Sequence, residues 1–347
     1  MSTPTRWMIV AFSVAMILVS FAIGLWARRR VRSAEDFFGG TKAFGPLAVA
    51  LSSTAAVASA FALVGVPGLV YATGNTILLW MLGSPAMALG ALILGKKLRA
   101  MAEVGSVATL GDVADLRFGG HRGVKATMSL VLLLGCVAYL AAQIKAGAEL
   151  FAHLLGLPPA VAGLAIFGVL IAYTVLSGEV GGILTQAFQG LVMVVAGLIL
   201  TVRFVQITGG FGPVLDAVAE AGTVTSGGLT KTFTADAVDA WGTFPGSVAM
   251  AWVLIPVVGV ICQPQVLTRL YALADPRDLP RATLYGTAAH MVVAGEPYDV
   301  RLGQRRENRT TCGWGRAVQK HPQRLVLPLL SLAIPGPRLS PLSPPNR

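Results

Sequence analysis

Residues 47–71, LAVALSSTAAVASAFALVGVPGLVY, run for 25 positions without a charged side chain. A helix of about 20 apolar residues crosses a bilayer, so this stretch alone commits the chain to lipid. Apolar stretches of similar length lie at 7–27, 76–95, 126–151, 158–177, 182–205 and 244–268, and 283–294 has the character of an eighth that has just begun. A soluble domain carries charges at about a quarter of its positions. Here the share is 12%, with 54% hydrophobic residues and a mean hydropathy of +0.70. The expectation is an all-α, multi-pass integral membrane protein with seven spans and the start of another. The first span is longer than a signal-peptide core. It is followed by RRRVR where a cleavage site would need small residues, so it reads as a retained helix.

Orientation follows from the basic residues between spans, because short loops rich in Lys and Arg stay in the cytoplasm. One set of loops holds Arg28, Arg29, Arg30, Arg32 and Lys42, then Lys96, Lys97, Arg99, Arg117, Arg122 and Lys125, then Arg269, Arg277 and Arg281. The opposite set holds Arg6, Arg203 and Lys231. Fourteen against three places the N-terminus outside the cell membrane and accounts for much of the net charge of +11 as topology signalling. No basic surface interleaved with aromatics suggests nucleic acid.

Catalytic chemistry finds no foothold. Cys136, Cys262 and Cys312 show no metal or redox spacing, and His121, His153, His290 and His321 are scattered. Neither a phosphate-binding loop nor a nucleophile elbow occurs. The chain therefore reads as a protein that is not an enzyme.

The segment SSTAAVAS, 52–59, is unusual for a membrane helix in its small and hydroxylated residues. Two explanations stand side by side. Small residues let helix backbones approach closely. Alternatively, the helix is interrupted near the midplane, and its freed carbonyls face a cavity where a cation and a solute bind. With no Gly or Pro at the point of interruption, local propensity does not choose between them.

Five pieces, in order, carry a family resemblance. AEDFFGGTKAFGPLAVALSSTAAVASAFALVGVPGLVYATG (34–74) resembles the first core helix and its approach in the sodium:solute symporter family, which includes sodium-coupled proline, pantothenate, acetate and sugar carriers. TLGDVADLRFG (109–119) is similar to the loop before the third core helix, and YLAAQIKAGAELF (139–151) to the outer half of that helix. YTVLSGEVGGILTQAFQGLVM (173–193) resembles the signature across the fourth and fifth, and CQPQVLTRLYALADPRDLPRA (262–282) the sixth with its cytoplasmic exit.

The resemblance implies a leucine-transporter-like inverted-repeat fold and coupling of a small organic solute to sodium. Sodium is a hard cation that seeks oxygen ligands. In this family it lies against two carbonyls of the broken first core helix and hydroxyls of the eighth. The matching carbonyl positions here are Ala55 and Ala58; Ser59 falls where the family lines its substrate cavity, and Tyr139 aligns with a ring that contacts substrate in the proline branch. Two departures weaken a proline-like specificity: Val57 replaces an acidic residue, and Gln186 follows Thr185 where Asp is common. Lys145 reads as a side chain that snorkels to the interface. The long segment 206–243 is expected outside, as a tether or a cap over the vestibule.

The last 53 residues, 295–347, change character. They hold nine of the 27 Lys and Arg and eight of the 20 Pro, with no membrane-length run, and the resemblance stops where they begin. The change falls inside a helix and reads as a shift of frame; a regulatory, disordered tail is the other reading. A shift of frame would leave the first repeat (within 1–294) complete and most of the second missing. Two functions then stay open: a sodium-coupled symporter by descent, inactive as a fragment, or a membrane-embedded interaction protein that does not transport.

Overall fold

The computed structural model describes residues 3–38, 42–59, 91–105, 107, 109–210, 223–226, 229–232, 244–261 and 263–293. The second half of the span 47–71, most of 76–95 and the tail 295–347 lie outside the described residues. In chain order the helices are α1 (Thr3–Arg28), α2 (Ala34–Phe37), α3 (Pro46–Val57), α4 (Lys96–Val104, entered through a π-helical turn, Ala91–Gly95), α5 (Leu110–Arg117), α6 (Arg122–Leu155) and α7 (Pro159–Thr208). A two-stranded antiparallel hairpin follows, β1 (Thr223–Ser226) with β2 (Leu229–Thr232). The described chain ends with α8 (Gly246–Ile261), α9 (Pro264–Tyr271), a 3₁₀ turn at Pro276–Asp278 and α10 over 279–293.

Among the described residues, three helical stretches are long and apolar enough to cross a membrane: Trp7–Arg28, Arg122–Ala152 and Thr174–Ile207. Along α6 the side chains of Leu130, Val131, Leu133, Leu134 and Val137 are all exposed. A contiguous apolar surface of that size is untenable in water. Around hydrocarbon it costs nothing.

The junction between two spans is sharper than the sequence suggests, and a third span is interrupted. The stretches 158–177 and 182–205 are not separated by a loop. They are two helices that meet directly at a bend formed by a single non-helical residue, Gly178, with φ 58° and ψ −152°. Only glycine occupies that region readily, and a Cβ there would sit 2.4 Å from the carbonyl oxygen of Phe37. The bend is therefore sealed by the α2 segment. The stretch 244–268, read as one span, is broken between Ile261 and Pro264, whose ring suits the first turn of a new helix.

α7 packs most extensively against α1 and α3. At the α3 crossing a Cβ on Gly190 would lie 2.2 Å from the carbonyl oxygen of Leu51, so the two backbones touch. The largest buried cluster gathers at the basic-loop end and includes Phe44, Val49, Ile183, Leu270, Tyr271, Leu273 and Leu279. Chain segments before α3 and after α9 pair there: the Phe44 N–H donates to Ala272 O (3.1 Å), and the Ala274 N–H to Phe44 O (2.9 Å). Beside that bridge α5 is fixed by a reciprocal cap between Thr109 and Asp112. Lys125 of α6 reaches Asp112 at 3.1 Å and Asp115 at 3.4 Å. The Arg99 guanidinium holds the Glu103 carboxyl below its ordinary range, chiefly through their hydrogen bond.

Candidate solute and cation site

The site begins with the way α3 ends. Its hydroxyls fold back onto carbonyls: Ser52 Oγ donates to Val49 O (3.1 Å), and Thr54 Oγ1 to Ala50 O (3.0 Å) and Gly286 O of α10 (3.3 Å). Ser52, Ser53 and Thr54 are buried, which seats this polar face against neighbouring helices. The helix then stops at Val57. Ala58 takes φ −67° and ψ 78°, and the Ser59 N–H donates to Val57 O at 2.7 Å. This is an inverse three-residue turn. In a continuing helix the Ser59 N–H would close onto Ala55 O; here that carbonyl is released from the ladder. Ala58 lies past the last helical residue, and both alanines are half-buried.

Ser59 and Tyr139, far apart in the chain, are brought together. The Ser59 side chain lies beside the Tyr139 hydroxyl, with Tyr139 carried on α6. Tyr139 keeps 37% of its surface exposed, so its ring is available to a ligand. Ala55, Ala58, Ser59 and Tyr139 therefore surround one helix end. A small cavity lies on the other side of α3, between Val49, Ser53, Val266, Gly286 and Thr287, with a volume of about 30 Å³. That space accommodates a water molecule and excludes an organic solute. Among the described residues no group of three His, Cys, Asp or Glu side chains is placed to hold a metal, so any cation here takes oxygen ligands from backbone and hydroxyls.

A second polar cluster escaped the sequence reading. Arg269, in the last turn of α9, is 4% exposed and donates through Nη2 to Oε1 of Gln186 on α7. The half-buried Glu179, next to the Gly178 bend, acts on the same guanidinium electrostatically. Arg269 Nε and Nη1 find no hydrogen-bond acceptor among the described residues. The sequence marked Gln186 only as a departure from the signature; the signal for its partner was a lone Arg set among apolar residues in VLTRLY. Lys145 lies on the exposed surface of α6.

Residues 37–298 match the sodium:solute symporter family. The chain belongs to that family. It is 31% identical over 279 residues to the sodium/pantothenate symporter of Escherichia coli (strain K12), a match covering 79% of this chain and 56% of the relative. The high-affinity proline transporter PutP of Bacillus subtilis (strain 168) is 28% identical over 276 residues, 76% of this chain and 54% of that protein. Among solved structures, a Na⁺-coupled sialic acid symporter in a substrate-bound outward-open state superposes with a TM-score of 0.70 at 15% identity, covering 93% of this chain and 64% of that one. The likeness establishes a leucine-transporter-like fold for this family member. The chain spans about half the length of the relatives it matches. The family is one of transporters, and its apolar helices make this a multi-pass membrane protein.

Proposed function

We propose that the protein serves sodium-coupled transport of a small organic solute across the cytoplasmic membrane, with its N-terminus outside. The observation that carries this reading is the end of α3: the helix stops at Ala58, the Ala55 carbonyl leaves the ladder, and Ser59 meets Tyr139 beside it. The carbonyl oxygens of Ala55 and Ala58 supply half of a hard-cation site without a buried charge. The Ser59 and Tyr139 hydroxyls supply the polar contacts that orient a solute, and the Tyr139 ring supplies apolar surface. Relatives named for pantothenate and proline support a small carboxylate-bearing solute as the first class to try. Val57, apolar where the proline branch is acidic, argues against proline itself.

The test uses the whole chain with Cys136, Cys262 and Cys312 replaced by Ser and Ser59→Cys introduced, reconstituted in liposomes. The rate at which a small maleimide labels position 59 is followed with sodium or potassium and a panel of amino acids, vitamins, monocarboxylates and sugars. Sodium should slow labelling several-fold, and one solute class should slow it further only when sodium is present. Labelling indifferent to sodium and to every solute would overturn the reading.

A further inference from the structure

A feature outside the transport site lies where α1 ends. Four arginines, Arg28, Arg29, Arg30 and Arg32, fall within five residues of one another, directly after a membrane-length helix, and all four side chains are exposed. Successive tight turns keep them there: the Arg29 N–H donates to Trp26 O (3.2 Å), Arg30 N–H to Ala27 O (2.8 Å) and Val31 N–H to Arg28 O (3.2 Å). The backbone therefore cannot carry the cluster away from the bilayer surface. Trp26, 48% exposed, marks the depth, because exposed tryptophan at a helix end settles among lipid headgroups. The Arg30 guanidinium lies over its ring at 4.2 Å, which holds one of the cations at that same depth.

Among the described residues these charges are not spent on carboxylates, since none of the four takes part in an ion pair. The nearest carboxylate in sequence on a described side chain, Asp36, receives the backbone N–H groups of Arg32 (3.0 Å) and Ser33 (3.1 Å) through Oδ2. Topology signalling needs only that positive charge stay on one side. It does not need a guanidinium stacked on an interfacial ring.

We infer that Arg28, Arg29, Arg30 and Arg32 form a docking site for the phosphate headgroup of an anionic glycerophospholipid. Guanidinium groups present paired N–H donors that match phosphate oxygens, and clustered basic residues beside a membrane helix attract anionic lipid electrostatically. The position favours a lipid over a soluble phosphate, since Trp26 fixes the cluster at headgroup depth. The inference stands apart from the transport reading and would survive its failure.

The experiment is native mass spectrometry of the purified full-length chain in detergent, titrated with phosphatidylglycerol or phosphatidylcholine of the same acyl chains. The expected result is preferential retention of phosphatidylglycerol, weakened by salt and not displaced by millimolar inorganic phosphate. Each Arg→Gln change among the four should lower retention roughly fivefold. The combined R28K/R29K/R30K/R32K variant should keep a preference, which separates loss of charge from loss of folding. K96Q/K97Q, which removes two exposed charges elsewhere in the basic loops, should leave the preference intact. Equal retention of the two lipids by the unaltered chain, competition by free phosphate, or an equal loss in K96Q/K97Q would each overturn the inference.

Discussion

Arg99 donates through Nε and Nη2 to the carbonyl oxygen of Leu273, at 3.3 and 3.1 Å, while its Nη1 meets Glu103. Leu273 is the residue paired with Phe44, so one guanidinium ties α4 to the bridge joining the entrance of α3 and the exit of α9. The side chain is 2% exposed, and nothing but protein replaces its hydration. Hydrogen bonds from a charged donor contribute about 1.5–3 kcal/mol, and a stranded carbonyl adds to the loss. Arg99→Met, which keeps most of the volume, should therefore lower stability by about 2 kcal/mol or more, seen as a fall of several degrees in the unfolding midpoint in detergent. Arg99→Lys should recover part of it. An unchanged midpoint in Arg99→Met would mean that Leu273 finds another donor.

At Gly190 the backbone of α7 presses against the backbone of α3. Within a bilayer, helix association relies on such contacts because lipid is as apolar as the side chains it would replace. A Cβ placed 2.2 Å from Leu51 O forces the helices apart. Gly190→Ala should cost about 1–3 kcal/mol, and Gly190→Leu should expose the α3 end to limited proteolysis at protease levels the parent chain resists. If Gly190→Leu matches the parent in both assays, the contact is dispensable.

Orientation has its own check. If the fourteen-to-three division of basic residues sets the orientation as proposed, Gly74 lies outside and Lys97 inside. A reporter active only outside the cytoplasm, fused after Gly74, should give signal, and the same reporter fused after Lys97 should give none. The reverse pattern would invert the orientation and remove the argument for an external N-terminus.

Much of this was legible in the sequence, for a physical reason: lipid imposes long uncharged runs, and those runs mark α1, α6 and α7 without any tertiary information. The ending of α3 was not legible. SSTAAVAS contains no residue that forbids helix, and what stops it at Ala58 is a local turn at Ser59 together with the packing of Thr54 on Gly286. The bend at Gly178 was hidden for the opposite reason. Glycine is frequent in this chain, and only the Phe37 carbonyl pressed against it distinguishes this one. Arg269 was passed over because a single charge near the end of an apolar run looks like a loop residue. Its burial depends on Gln186 and Glu179, which the fold delivers from α7.

That cluster supports the last prediction. Arg269 is almost fully buried, Gln186 is neutral, and Glu179 is the carboxylate whose field reaches the guanidinium. Removing one of two opposite charges held in protein leaves the other less compensated, whereas replacing both by neutral groups is often tolerated. Arg269→Met should therefore destabilise the chain by about 2–3 kcal/mol, toward the low end for buried pairs because Glu179 keeps some contact with the surroundings. Glu179→Gln alone should also destabilise. The double change, Arg269→Met with Glu179→Gln, should be more stable than Arg269→Met, recovering at least about 1 kcal/mol of the loss. The measurement is a double-mutant cycle on unfolding in a mild detergent at neutral pH. Strict additivity of the two single changes would show that Glu179 and Arg269 do not depend on each other, and would leave Gln186 as the polar contact of Arg269 on the bent helix.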